Sequence, residues 1–209
     1  MFTRRNALAL LAAAGAGPVL LGRPALAQTA DPELLATSGP LGEMALGDEN
    51  APVTVYEYAS MTCSHCATFH NQTWPAVKER FIETGQVRFV MREFPLDPLA
   101  TAAFMLARCE PEMYWPVVDM LFELQRQWAF SDRPVDTLAQ LMRQAGFSQE
   151  KFEACLRDQA LFDGIQDVKT RGERLGVRAT PTFFFNGELR SGALTIDEFA
   201  AIVEPMLEG

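Results

Sequence analysis

The stretch Val53-Thr54-Val55-Tyr56-Glu57-Tyr58-Ala59-Ser60-Met61-Thr62-Cys63-Ser64-His65-Cys66 decides the reading of this chain. Its first half, Val53 to Ala59, is rich in β-branched and aromatic residues and reads as a strand. The residues that follow Cys66 read as a helix. Two cysteines separated by two residues therefore stand at a strand-to-helix junction, an arrangement suited to a redox dithiol. There the first sulfur lies at a helix N-terminus, where backbone N–H groups and the helix dipole favour the thiolate. The thiolate is the reactive species in disulfide exchange. The second sulfur lies about one helical turn further on, within reach of the first.

Downstream, Phe69, Trp74, Val77 and Phe81 continue a helix to about Thr84, with a kink expected at Pro75 and a stop at Gly85. Val87-Arg88-Phe89-Val90-Met91 reads as a second strand. Asp97-Pro98 then reads as an N-cap and first helical residue. From there to about Gly176 the apolar residues, Phe104, Leu106, Val117, Val118, Leu121, Leu124, Leu138, Leu141 and Met142 among them, follow helical spacing and predict a helical core. Breaks fall at Glu110-Pro111, Ser131-Asp132-Arg133-Pro134 and Gly146-Phe147-Ser148. Strand signals return at Thr182-Phe183-Phe184-Phe185, with the hairpin turn Asn186-Gly187 and a return strand Glu188-Leu189-Arg190. Thr195-Ile196-Asp197-Glu198 is a capping box that opens a final helix.

The order βαβ, helices, ββα is an α/β thioredoxin fold with an all-helical domain inserted in its middle. Residues 52–96 and 177–209 form the thioredoxin-like part and 97–176 the insertion. Residues 28–51, with Pro32, Gly39, Pro40, Gly42 and Gly47, read as a linker with a short edge strand near Met44-Ala45-Leu46.

The N-terminus reads as an export signal. Arg4-Arg5 precede an uncharged run from Asn6 to Gly22, and Ala25-Leu26-Ala27 fits a cleavage site, so residues 1–27 are expected to be removed. Thr3-Arg4-Arg5-Asn6-Ala7-Leu8 also suits a twin-arginine route. Either route leads out of the cytoplasm, and the periplasm is the expected location. The formal charge of the whole chain is −9, and loss of Arg4, Arg5 and Arg23 makes the mature chain three units more negative, which argues against a nucleic-acid partner. In an exported chain four cysteines can persist as disulfides. Cys109 and Cys155, both in the helical segment, are expected to pair, and closing that loop is worth about 4 kcal/mol at most. With no second C-x-x-C and no H-x-x-x-H, a structural zinc is not expected.

In Cys63-Ser64-His65-Cys66, in Thr180-Pro181 opening the later strand, and in Glu57 six residues before Cys63, the chain resembles the DsbA family of exported thiol–disulfide oxidoreductases. The resemblance implies that Cys63 is the exchanging sulfur and Cys66 its buried, less acidic resolving partner. It implies that His65 favours the Cys63 thiolate, and that the Cys63–Cys66 disulfide is the redox centre, with no other cofactor and no metal. It also implies a cis bond before Pro181, with the Thr180 backbone presented to an extended substrate; spacing alone allows a trans proline on an edge strand equally well. Glu57 would relay a proton to Cys66, where strand alternation alone would also let it face water.

Ser64 stands where the best-known family motif has proline, and Thr180 where its oxidases have an aliphatic residue, so the motif leaves oxidase and isomerase or reductase open. The resemblance implies a monomer that acts on reduced exported proteins and is reoxidised by a DsbB-like membrane quinone reductase. Family isomerases carry an extra N-terminal dimerisation domain, for which residues 28–51 are too short. A rival reading makes Cys63 and Cys66 Cu(I) ligands of a metal chaperone. His70, one turn beyond Cys66, reads as a helix surface or packing residue.

Overall fold

In the computed structural model, which describes residues 30–208, a five-stranded mixed sheet is covered by helices on both faces. The expected export signal lies outside the described residues. The elements run α1 (Pro32–Ala36), β1 (Met44–Leu46), β2 (Val53–Ala59), α2 (Ser64–Gln72), α3 (Trp74–Val77), β3 (Val87–Glu93), α4 (Pro98–Arg108), α5 (Tyr114–Glu123), α6 (Gln125–Trp128), α7 (Pro134–Gln144), α8 (Gln149–Arg157), α9 (Gln159–Arg174), β4 (Thr182–Phe185), β5 (Glu188–Ser191) and α10 (Ile196–Leu207). The strand order is β1-β3-β2-β4-β5, with β2 parallel to β3 and the other pairs antiparallel.

β2 is the centre of the sheet, so both of its faces are covered. Val53 and Val55 pack with Phe69, Trp74, Phe89, Phe183 and Phe199 under α2, α3 and α10. Tyr56 and Tyr58 pack on the other side with Leu35, Val168, Leu175 and Val177, under α1 and α9. α9 approaches this second face closely. A Cβ on Gly172 would lie 2.6 Å from a ring carbon of Tyr58. Gly172→Ala is therefore expected to cost about 1–3 kcal/mol through overpacking, and an unfolding midpoint equal to wild type would show that α9 can shift away without penalty.

Local signals account for most boundaries. Asp97 caps α4 by accepting from Ala100 N–H at 2.8 Å. Asn186 (φ 45°) and Gly187 (φ 93°) turn β4 into β5, and the Asn186 side chain accepts from Thr54 N–H, pinning the start of β2. The Thr195–Glu198 capping box opens α10.

Three features differ from expectation. The supposed linker contains α1, capped by Asp31 with Pro32 at its first position, the same Asp-Pro signature that opens α4. The helix after Cys66 does not run through to Thr84. It breaks at Thr73, restarts at Trp74-Pro75 because Pro75 cannot donate to an unbroken helix, and finishes in a π-helical turn at Lys78–Ile82. The helical segment contains a further break at Asp158, which caps α9 with its carboxylate.

The helices α4 to α9 close over the first part of the sheet and over Cys66, which shares their core with Phe104, Phe122 and Trp128. Cys109 and Cys155 are joined as a disulfide with Cα atoms 5.7 Å apart, tying the end of α4 to α8.

Candidate active site

Cys63 is the N-cap residue of α2, with extended backbone (φ −81°, ψ 118°). The segment before it is held from three sides. Cys63 N–H donates to Ser60 O at 3.1 Å. Thr62 Oγ1 donates to Asp97 Oδ2 at 2.5 Å, which couples the loop to the start of α4. Gln125 Nε2 donates to the carbonyls of Met61 and Cys63, both at 2.9 Å. Gln125 is buried, and no motif marks it; in the sequence it looks like any helical glutamine. Gln125→Leu leaves Met61 O without that donor, at an expected cost of about 1–3 kcal/mol. Hydrogen exchange of the 61–66 amides should quicken with it, and unchanged protection would show that α6 does not hold the loop.

Both sulfurs are free thiols, Cys63 half-buried and Cys66 fully buried. The Cys63 thiol donates to Thr180 O at 3.2 Å. The Thr180–Pro181 bond is cis, as the resemblance implies. The Thr180 hydroxyl is buried with no full hydrogen bond, and it lies close enough to Cys63 to favour its thiolate.

The two thiols are pushed in opposite directions. Cys63 is lowered from 9.0 to about 5, first by the neighbouring Cys66 thiol, then by the Thr180 side chain and the backbone N–H groups of Cys66 and His65, which together outweigh its burial. None of these N–H groups closes a capping bond on the neutral thiol; they favour the anion, which is the better acceptor. Cys66 is raised well above 9.0, first by burial, then by Cys63 and by the nearby Glu57 carboxyl.

His65 and Ser64 are exposed on the first turn of α2. His65 favours the Cys63 thiolate through its backbone N–H. In the first helical turn the N–H groups point back toward the N-cap while the side chains fan outward.

Glu57 is fully buried, which excludes the water-facing reading. It shares with Val53 and Val55 the face of β2 that α2 covers. Its Oε2 lies 2.9 Å from His70 Nε2. His70 is therefore no surface residue. Its ring stacks on Phe122 at 4.1 Å between centroids. Cys66 and His70 are four residues apart on α2, a spacing that places both on one helix face toward Glu57.

Two clefts flank the site. One of about 720 Å³ runs from Ser64 between α2 and α6. The other, of about 540 Å³, adjoins Thr62 and is walled by Leu99, Ala129 and Val135. Phe130, 62% exposed, borders both. Among the described residues no cluster of three or more His, Cys, Asp or Glu is placed to hold a metal ion, and no helix is long and apolar enough to cross a membrane.

The thioredoxin family model matches residues 40–205. A Rickettsia typhi protein, provisionally named a protein-disulfide oxidoreductase, is 31% identical over 173 residues, which cover 79% of this chain and 62% of that protein. The chain thus spans less than two thirds of the length of such relatives. The crystal structure of Wolbachia pipientis alpha-DsbA1 superposes with a TM-score of 0.77 at 28% identity, covering 85% of this chain and 96% of that one. Oxidised BdbD of Bacillus subtilis shares the fold, with a TM-score of 0.70 at 19% identity over 88% of this chain and 98% of its own.

Proposed function

The chain belongs to the DsbA branch of the thioredoxin family, and from that premise we propose that it is a protein dithiol:disulfide oxidoreductase that donates its Cys63–Cys66 disulfide to folding exported proteins. A substrate thiolate attacks Cys63 Sγ, the Cys63–Cys66 bond breaks, and Cys66 leaves with the electron pair and takes up a proton. A second substrate thiolate then attacks the substrate sulfur of the mixed disulfide. Cys63 leaves as a thiolate, the substrate is oxidised and the protein is reduced.

The observation that carries this reading is the opposed acidity of the two sulfurs. An acidic, half-buried Cys63 is the accessible sulfur and a good leaving group. A stabilised thiolate also stabilises the reduced protein, which makes the disulfide an oxidant. The apolar rim at Phe130 and Val135 beside Thr62 suits the unfolded segments of such substrates. Export to the periplasm, action as a monomer and reoxidation by a DsbB-like quinone reductase belong to the same proposal. They rest on the N-terminal residues and on the family.

The test is the reduction potential of Cys63–Cys66 in defined glutathione mixtures, measured on Cys109→Ala/Cys155→Ala so that the second pair does not contribute. A value toward about −120 mV, that of DsbA itself, supports an oxidase; one near about −270 mV makes the protein a thioredoxin-like reductant and overturns the proposal. Tight Cu(I) binding by the reduced protein with negligible oxidation of a reduced test protein would overturn it in favour of a metal chaperone.

A further inference from the structure

The Glu57–His70 pair has two loose ends. Both side chains are at least nine-tenths buried, and yet Glu57 Oε1 and His70 Nδ1 have no hydrogen-bond partner. A buried polar atom left unpaired costs stability, so two in one pair ask for a role. The neighbours of Glu57 across the sheet are Met91 on β3 and Phe183 on β4, both apolar, which leaves His70 as its hydrogen-bond partner among the described residues. On its other side His70 lines a cleft of about 310 Å³, together with Asn71, Trp74, Pro75, Lys78, Asp119 and Glu123.

We propose that His70 is a positioning residue in a proton path that runs from the buried Cys66 sulfur through Glu57 and the His70 ring to this cleft. The inference rests on the dithiol-exchange reading above. When the Cys63–Cys66 bond breaks, the leaving Cys66 sulfur takes a proton from Glu57. Glu57 is refilled from His70 Nε2–H, and the buried His70 Nδ1 takes one proton from a water that enters by way of the cleft. One proton enters and one S–H bond forms. When the disulfide re-forms, the proton leaves by the reverse route and the starting tautomer returns. The path matches the problem posed by the site, because Cys66 is sealed beneath the helical segment and has no solvent of its own. The charged groups that face His70 are Glu57 from β2, Lys78 from the turn after α3, and Asp119 and Glu123 from α5. Lys78 and Asp119 are paired with each other at 2.9 Å, which leaves Glu123 as the remaining acid at the mouth.

The test follows reduction of the oxidised full chain by dithiothreitol between pH 5 and 9, stopped by acid and read by thiol labelling and mass. His70→Phe keeps a ring for Phe122 to stack on but carries no nitrogen. It should slow reduction roughly tenfold near neutral pH, less than the 10²–10⁴ of a direct acid–base group, and flatten the rate–pH profile. Imidazole should restore the rate of His70→Ala through the cleft, whereas pyrazole, equal in size but far less basic, should not. Glu57→Gln/His70→Phe removes the unpaired buried carboxylate, and so guards against a folding defect in either single variant. Because it also removes the group that hands the proton to Cys66, it should be slower than His70→Phe, and a double variant that reduces as fast as wild type overturns the proposal. A profile for His70→Phe that overlays wild type, or equal rescue by the two azoles, overturns the proposal. Failure of the wild-type protein itself to exchange with dithiothreitol would instead overturn the oxidoreductase reading on which it rests.

Discussion

Alkylation of the reduced protein with iodoacetamide is expected to find one thiol, Cys63, that reacts with a midpoint near pH 5, and a second, Cys66, that stays silent until the chain unfolds. Cys63→Ser should abolish disulfide exchange altogether. The acidity of Cys63 has a consequence for stability. Its folded value, about 5, lies below the ordinary 9.0, so the thiolate stabilises the reduced fold fully above pH 9 and progressively less as the pH falls toward 5. At pH 7 two of those pH units count, worth about 3 kcal/mol at most for a half-buried group. Cys66 contributes nothing there, since it is protonated in both the folded and the unfolded chain; its raised value costs stability only above about pH 9. The oxidised protein has neither thiol. Reduced minus oxidised stability, from urea unfolding, should therefore shrink as the pH is lowered from 7 to 5. The same effect raises the potential by about 60 mV over an unperturbed pair. A difference that does not change with pH would mean that Cys63 is not an acidic thiol.

The second large effect lies away from the sulfurs. Arg108 and Glu93 form a forked ion pair with both side chains at most 1% exposed, at 2.6 and 3.0 Å. Tyr114 OH donates to Glu93 at 2.9 Å, and Arg108 also donates to the carbonyls of Leu41 and Gly42. This cluster joins β3, α4, α5 and the loop before β1. Arg108→Met would leave the Glu93 carboxylate buried without its cation, at an expected cost of about 3–5 kcal/mol. Glu93→Gln/Arg108→Met should recover part of that loss, because the uncompensated charge is gone while the two carbonyls remain unmet. Urea midpoints at constant slope would measure both. A loss below about 1 kcal/mol in the single variant would show that Glu93 is reached by water or is held neutral.

How much of this could be read beforehand depends on how far apart the partners lie. The two strands around the cysteines, the Asn186-Gly187 turn, the Thr195–Glu198 box and the Asp97-Pro98 helix start are each written within a few residues. α1 is equally legible in Asp31-Pro32, although the glycines and prolines around it make 28–51 read as a linker. Cys63 and Cys66 were clear for the same reason. The Cys66–His70 spacing held a signal too, since residues four apart share a helix face.

The partners of the site are a different matter. His70 meets Glu57 across a strand–helix packing, Gln125 reaches the Cys63 loop from another helix, and Thr180 meets Cys63 from the far side of the inserted helices. A glutamine or threonine carries no local pattern that tells a buried hydrogen bond from a solvated one. His65 shows the converse: its place in the motif is legible, and the fold adds that its backbone N–H is one of the groups that favour the Cys63 thiolate.

Sequence alone thus determined the order of elements and the dithiol at a helix N-terminus, because propensity, capping and spacing act over short range; the pairing expected of Cys109 with Cys155 rested instead on the export signal and on both lying in the helical segment. Tertiary structure decided which face of β2 is covered, and so that Glu57 is buried. It also decided that Cys66 is sealed while Cys63 is not, and which donors surround each sulfur. Burial sets those charges and acidities, and burial belongs to the packed assembly of segments distant in the chain.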